Sequence, residues 1–167
     1  MTFASPTLQL TRAQLLDILA HCYDCLPDEG CGMLGGPVDP ATGEPTGVVE
    51  QVYPCVNADA SARTYTVDPR DLFRSMRDAE GRGGGIVGVF HSHTHTAPYP
   101  SETDVRQAPD PNWIYVLASL RPGWDPSVRA YRIVDGVIAE VAVEVTDPAD
   151  PADRAAGGAP SAPERSR

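Results

Sequence analysis

His91 and His93, separated by one residue and followed by Ser101 and Asp104, are the residues of this chain whose types and spacing could do chemistry. The run before them, Gly85-Ile86-Val87-Gly88-Val89-Phe90, is apolar and bounded by glycines, which predicts a short buried strand. Side chains alternate faces along a strand, so His91 and His93 are expected to project the same way from its end. Two imidazoles and one carboxylate make three protein ligands for zinc. They leave a fourth position for water, the arrangement of a catalytic site rather than a structural one.

The elements around these residues must bring them together. Thr94-His95-Thr96-Ala97-Pro98-Tyr99-Pro100 has no helical period and reads as a loop that turns the chain back. Ser101 is a good helix N-cap, with Glu102 and Asp104 in the first turn of a short helix that continues to Ala108. Asp104 is expected one turn into that helix, facing the two histidines, with Ser101 close by.

At these positions the chain resembles the JAMM, or MPN-plus (Mov34/MPN/PAD-1), zinc metalloproteases, and among them the small bacterial branch. The family motif is an upstream glutamate, then His-x-His, seven residues, Ser, two residues and Asp; it is matched here by Glu29, His91, His93, Ser101 and Asp104. The segment Asp28-Glu29-Gly30-Cys31-Gly32-Met33-Leu34-Gly35-Gly36 is similar to the family's glutamate stretch entering a strand, and Tyr65-Thr66-Val67-Asp68-Pro69 to its strand-to-helix junction. The resemblance covers residues 1–146. It departs at Thr94, where many members carry proline, a change that bears on the loop more than on ligation.

The resemblance implies an MPN-type (cytidine-deaminase-like) α+β fold, with zinc (Zn2+) at the end of a central strand held by His91, His93 and Asp104. It implies that Glu29 is the general base and that Ser101 supports the developing oxyanion. The implied substrate is an amide or isopeptide bond after the C-terminal tail of a ubiquitin-like carrier protein. Some of the small bacterial branch process sulfur carriers and release cysteine or another terminal residue. The chain has no room for the insertions that hold a second ubiquitin.

Blander readings exist for each residue. A lone His-x-His is more often a polar strand end than a metal site. Glu29 by itself reads as a solvated residue in a Pro-Asp-Glu-Gly turn, and only the resemblance promotes it. Ser101 could be an N-cap and nothing more. His95 could complete a three-histidine set, but the neighbouring threonines and prolines place it past the strand, on the rim of the site.

Composition bounds the function class. A chain of 167 residues is ordinarily one domain with a real core. Its net charge of -10 argues against nucleic acid or an anionic membrane as a partner, since either needs a basic footprint. An acidic chain also gains no electrostatic steering toward an acidic carrier. No signal-peptide pattern or membrane-length apolar run is seen, so a cytoplasmic location is expected. Cys22, Cys25, Cys31 and Cys55 do not suggest a disulfide framework in a chain of this size. Cys22 falls on an apolar helical stripe with Leu15, Ile18 and Leu19 and reads as core, and Cys31 as filling a small buried space.

The remaining pattern gives a mostly antiparallel sheet, two main helices and a short third one. The first helix spans 11–26, with Thr11 and Gln14 forming a capping box. The second starts at Asp68 and Pro69, with Leu72, Phe73 and Met76 as its expected buried face. Strands are expected at 32–34, 48–53, 64–67, 113–120, 128–134 and 137–145, with Asp135-Gly136 as a tight hairpin turn. From 147 to 167 alanine, proline, glycine and charge dominate, which predicts a disordered tail. Against the peptidase reading stand a zinc hydrolase of small-molecule amides and a non-catalytic MPN scaffold.

Overall fold

In the computed structural model, residues 7–147 are described. The chain opens with β1 (Leu8–Thr11), α1 (Arg12–Asp24), β2 (Cys31–Gly36), β3 (Gln51–Cys55) and α2 (Pro69–Gly81). It continues through β4 (Gly85–His93), α3 (Glu102–Gln107) and β5 (Ile114–Ser119) to β6 (Ser127–Val134), β7 (Val137–Val141) and β8 (Val143–Thr146). Six strands form the main sheet in the order β3-β2-β4-β5-β6-β7, in which β4 and β5 are parallel and the other pairs antiparallel. β1 and β8 make a separate parallel pair.

Local chemistry explains these elements. Thr11 and Gln14 form the expected capping box of α1, and the Asp68 side chain caps α2 ahead of Pro69. Asp135 and Gly136 both take positive φ, 50° and 79°, as a tight hairpin turn between β6 and β7 requires. The alternation of β5 divides the core. Ile114, Val116 and Ala118 pack toward α1 with Ile18, Cys22 and Phe90, while Tyr115 and Leu117 pack on the opposite face with Met33, Val89 and Tyr131. β4 lies in the middle, covered on both sides.

Several expectations are corrected. Phe73 and Met76 are 65% and 40% exposed; the buried stripe of α2 is Ser75 and Ala79, with Leu72 partly buried. Small residues let this helix lie close to the glycine-rich β2: a Cβ on Gly35 would come within 3.5 Å of Ala79. Residues 64–67 form an isolated bridge, Asn57 with Val67, rather than a strand. There the Asn57 side chain accepts from Thr66 N–H and donates to the Thr64 carbonyl, replacing a sheet ladder. The strand expected at 48–53 lies later, as β3, whose edge position tolerates Pro54. The single strand expected at 137–145 breaks at Ala142, so that β8 can pair with β1, which local pattern did not suggest. Of the expected tail only Asp147 is among the described residues, paired with Arg12 at 3.0 Å.

Gly88 is where β4 and β5 come too close for a side chain. A Cβ there would sit 2.2 Å from the Ile114 carbonyl oxygen, and backbone in a central strand cannot step aside. Gly88→Ala is therefore expected to cost at least about 2 kcal/mol in urea denaturation. Gly81→Ala, where no atom lies within 4 Å, should leave stability unchanged or slightly higher. Equal stability of the two variants would refute the close approach.

Candidate active site

His91 and His93 sit at the C-terminal end of β4, which pairs with β2 on one side and β5 on the other. His91 is opposite Cys31 of β2 and Leu117 of β5, and His93 is opposite Ser119. The rings project the same way, as the alternation requires, and both residues are buried. α3 begins at Ser101, whose hydroxyl accepts from Asp104 N–H at 3.1 Å, while Asp104 Oδ2 accepts from Ser101 N–H at 2.7 Å. The cap turns the Asp104 carboxylate toward the histidines.

The donor atoms converge. His91 Nε2 and His93 Nε2 are 3.2 Å apart, His91 Nε2 is 3.4 Å from Asp104 Oδ1, and His93 Nε2 is 3.3 Å from Asp104 Oδ2. Tetrahedral zinc with bonds of about 2.0–2.1 Å separates its ligand atoms by about 3.3–3.4 Å, so the set fits that ion. His93 Nδ1 faces the Ala97 carbonyl at 2.9 Å and must carry a proton there, which directs Nε2 to the shared point. His91 Nδ1 is buried without a protein partner; its ring is oriented by stacking on Tyr65, centroids 4.3 Å apart. His95 stands outside the set, exposed, with Nδ1 2.7 Å from Thr94 Oγ1.

Electrostatics follow from burial and pairing. Burial pushes the pKa of His91 down. Burial acts the same way on His93, but the hydrogen bond and charge of Asp104 outweigh it and raise its pKa. Burial also opposes ionisation of Asp104, yet the hydrogen bonds from both imidazoles hold its carboxyl well below the usual range. A divalent cation held here would compete with protons for both imidazoles.

Glu29 precedes β2 and is only 4% exposed. Its N–H donates to the Ser61 carbonyl at 2.8 Å, and its own carbonyl accepts from Asn57 Nδ2 at 3.0 Å. Next to it, Gly30 N–H donates to Ser92 Oγ and Ser92 N–H returns to the Gly30 carbonyl, both at 2.9 Å. Ser92, between the two histidines and facing away from them, thus ties the glutamate segment to β4. Burial drives the Glu29 pKa up to about 7, with the charge of His93 pulling the other way. A carboxyl titrating near neutrality suits proton transfer in both directions.

Glu29, His93 and Ser101 line one open cleft of about 580 Å³, together with Arg63, Thr94 and His95. Asp104 also borders a second, largely apolar cavity of about 260 Å³ walled by Met33, Tyr65, Val67, Leu72 and Trp113. Three of the motif positions thus share one cleft, and His93 joins them to His91 and Asp104. Sequence reasoning missed Ser92, Asn57 and Tyr65. The signal for Ser92 was a small polar residue on the core-facing side of a buried strand, where it needs a partner. Tyr65 stood in the stretch that resembles the family's strand-to-helix junction but had no role there, and Asn57 gave no comparable local signal.

The raised Glu29 pKa makes a prediction for the metal-free protein. Its carboxyl costs nothing below its ordinary value of 4.5, where both states are protonated, and the full penalty is present only above about 7. Glu29→Gln removes that penalty. The stability of this variant relative to the unsubstituted protein should rise by about 1–3 kcal/mol between about pH 4 and pH 8, measured by urea denaturation with chelator present. A pH-independent difference would show that burial does not hold the proton on Glu29.

Residues 11–134 match the family model for prokaryotic homologs of the JAB domain. A CysO-cysteine peptidase of Mycobacterium tuberculosis (strain ATCC 25618 / H37Rv) is 38% identical over 137 residues, 81% of this chain and 90% of that protein. A desampylase of Haloferax volcanii is 34% identical over 120 residues, 69% of this chain and 82% of that one. The solution structure of a protein from Desulfitobacterium hafniense superposes with a TM-score of 0.73 at 33% identity, over 84% of this chain and 93% of that one. The mixed sheet with two main helices and a short third is an MPN-type α+β fold. The family model spans nearly all of the described sheet, and the chain belongs to the prokaryotic homologs of the JAB domain.

Proposed function

We propose that this chain is a zinc-dependent peptidase that hydrolyses the amide or isopeptide bond following the C-terminal tail of a ubiquitin-like sulfur-carrier protein. The observation that carries this reading is the convergence of His91, His93 and Asp104 within 4.8 Å beside a cleft shared with Glu29 and Ser101. The relatives support the substrate class, being by name a CysO-cysteine peptidase and a desampylase.

His91, His93 and Asp104 would hold the zinc. When bound, zinc supplies a Lewis acid that polarises the scissile carbonyl and acidifies water. Glu29 takes a proton from the attacking water as its oxygen bonds to the carbonyl carbon. Ser101 accepts a hydrogen bond from Asp104 N–H, so its own hydroxyl hydrogen remains free to donate to the carbonyl oxygen as charge develops there. The C–N bond then breaks, and Glu29 returns the proton to the leaving nitrogen. The products are a tail carboxylate and a free amine.

Terminal glycines would let the tail approach without side-chain clash. The apolar cavity beside Asp104 offers a place for a larger side chain further up the tail. The net charge of -10 favours neither nucleic acid nor an anionic membrane as partner. Among the described residues no helix is long and apolar enough to cross a membrane, and we expect the reaction in the cytoplasm.

Elemental analysis combined with mass-monitored cleavage of a carrier extended beyond its terminal glycines tests the reading. His91→Ala and His93→Ala should each lose most of the zinc, and activity with it. Glu29→Gln should keep its zinc while turnover falls by roughly 10²-fold or more. Full zinc in a folded double-alanine variant would remove the metal site. Zinc without cleavage of any carrier would favour the scaffold or the small-molecule amidase.

A further inference from the structure

The cleft beside Glu29 has a cationic wall that hydrolysis itself does not need. All 13 basic residues of this acidic chain are arginines, and every one keeps its charge at any working pH. Among the described residues Arg12, Arg74, Arg82, Arg106 and Arg129 each have a carboxylate within 4.0 Å. Arg63 lines the cleft with Glu29, His93 and Ser101 and, like Arg70, Arg77, Arg121 and Arg132, makes no such pair with a carboxylate of the described residues.

The backbone beneath Arg63 is tied to the reacting groups. Its N–H donates to Ser61 Oγ at 3.1 Å, and the Ser61 carbonyl accepts Glu29 N–H at 2.8 Å. From the other side, buried Thr94 follows His93 directly and donates its hydroxyl hydrogen to the Ala62 carbonyl at 3.2 Å. That hydrogen being used, Thr94 Oγ1 accepts from His95 Nδ1–H at 2.7 Å. Thr94 thus holds the Arg63 segment and His95 to the end of β4, so the backbone that carries Arg63 is anchored beside the base.

We infer that Arg63 recognises the free α-carboxylate of the residue released by hydrolysis. On this inference the cleft selects a single terminal amino acid over a lysine side chain embedded in a protein. It rests on the peptidase reading above. In an α-linked leaving residue only the α-carbon separates the leaving nitrogen from a carboxylate, so a cation lining the same cleft as Glu29 meets that charge. In a lysine isopeptide a long apolar stem follows the nitrogen, with no charge at that distance. The guanidinium fork matches a carboxylate in shape as well as charge.

The test uses one carrier in three forms: extended by one amino acid with a free carboxylate, the same with a carboxamide, and joined to a lysine side chain of a peptide. The zinc-loaded protein should cleave the free acid with kcat/KM on the order of tenfold above the carboxamide, and above the isopeptide. Arg63→Gln should bring the acid down to the carboxamide rate through KM, with carboxamide cleavage and zinc content unchanged. Calorimetry with Glu29→Gln protein should show the same acid-over-carboxamide preference in affinity, without turnover. Equal handling of acid and carboxamide, or a preference that survives Arg63→Gln, would overturn the inference while cleavage itself upholds the peptidase reading. Cleavage of none of the three by the unsubstituted protein would overturn both.

Discussion

Burying two imidazoles against a carboxylate at the end of a sheet strand is the constraint on which the rest of the structure turns. Polar groups taken out of water must find partners or pay the full desolvation cost. His91 and His93 find theirs in Asp104, at 3.4 and 3.3 Å. That requires the eight residues between β4 and α3 to turn the chain back, so that the first turn of α3 points at the strand. It also requires β4 to be held on both flanks, by β2 and by the parallel β5, so that the histidines cannot slip by one residue and swap faces.

The supporting contacts share a theme: side chains reach for backbone where a ladder would ordinarily do the work. Asn57 donates to the carbonyls of Glu29 and Thr64 and accepts from Thr66 N–H, holding an irregular segment under the site. Ser92 and Gly30 exchange hydrogen bonds where β2 has not yet begun. The result is a glutamate that is buried and close enough to feel His93, yet still on the wall of a cleft. A carboxyl kept in that position destabilises the fold in order to be useful to chemistry, a common trade at active sites.

Much of this was legible in the sequence, because much of it is local. The histidine alternation needs only a strand, and the Ser101–Asp104 relation needs only a helix cap. Glu29 was different: as residues, Pro-Asp-Glu-Gly reads as a solvated turn, and its burial depends on Asn57 and Ser92, far away in the chain. The buried face of α2 was misread because Phe73 and Met76 are large, whereas Ser75 and Ala79 let the helix close on a glycine-rich strand. The pairing of β1 with β8 joins the two ends of the described chain, and such long-range pairing leaves no periodic trace.

Asp104 belongs to two structures at once, since the oxygen that faces His93 also caps the first turn of α3. A position with two duties drifts more slowly than one with a single duty. Replacing either histidine leaves Asp104 with the other imidazole and its cap, so the helix still has its start. Replacing Asp104 removes half of the capping box and strands both imidazoles together. Lineages that lose the chemistry should therefore forfeit a histidine first, and carry the aspartate onward as an inherited piece of architecture.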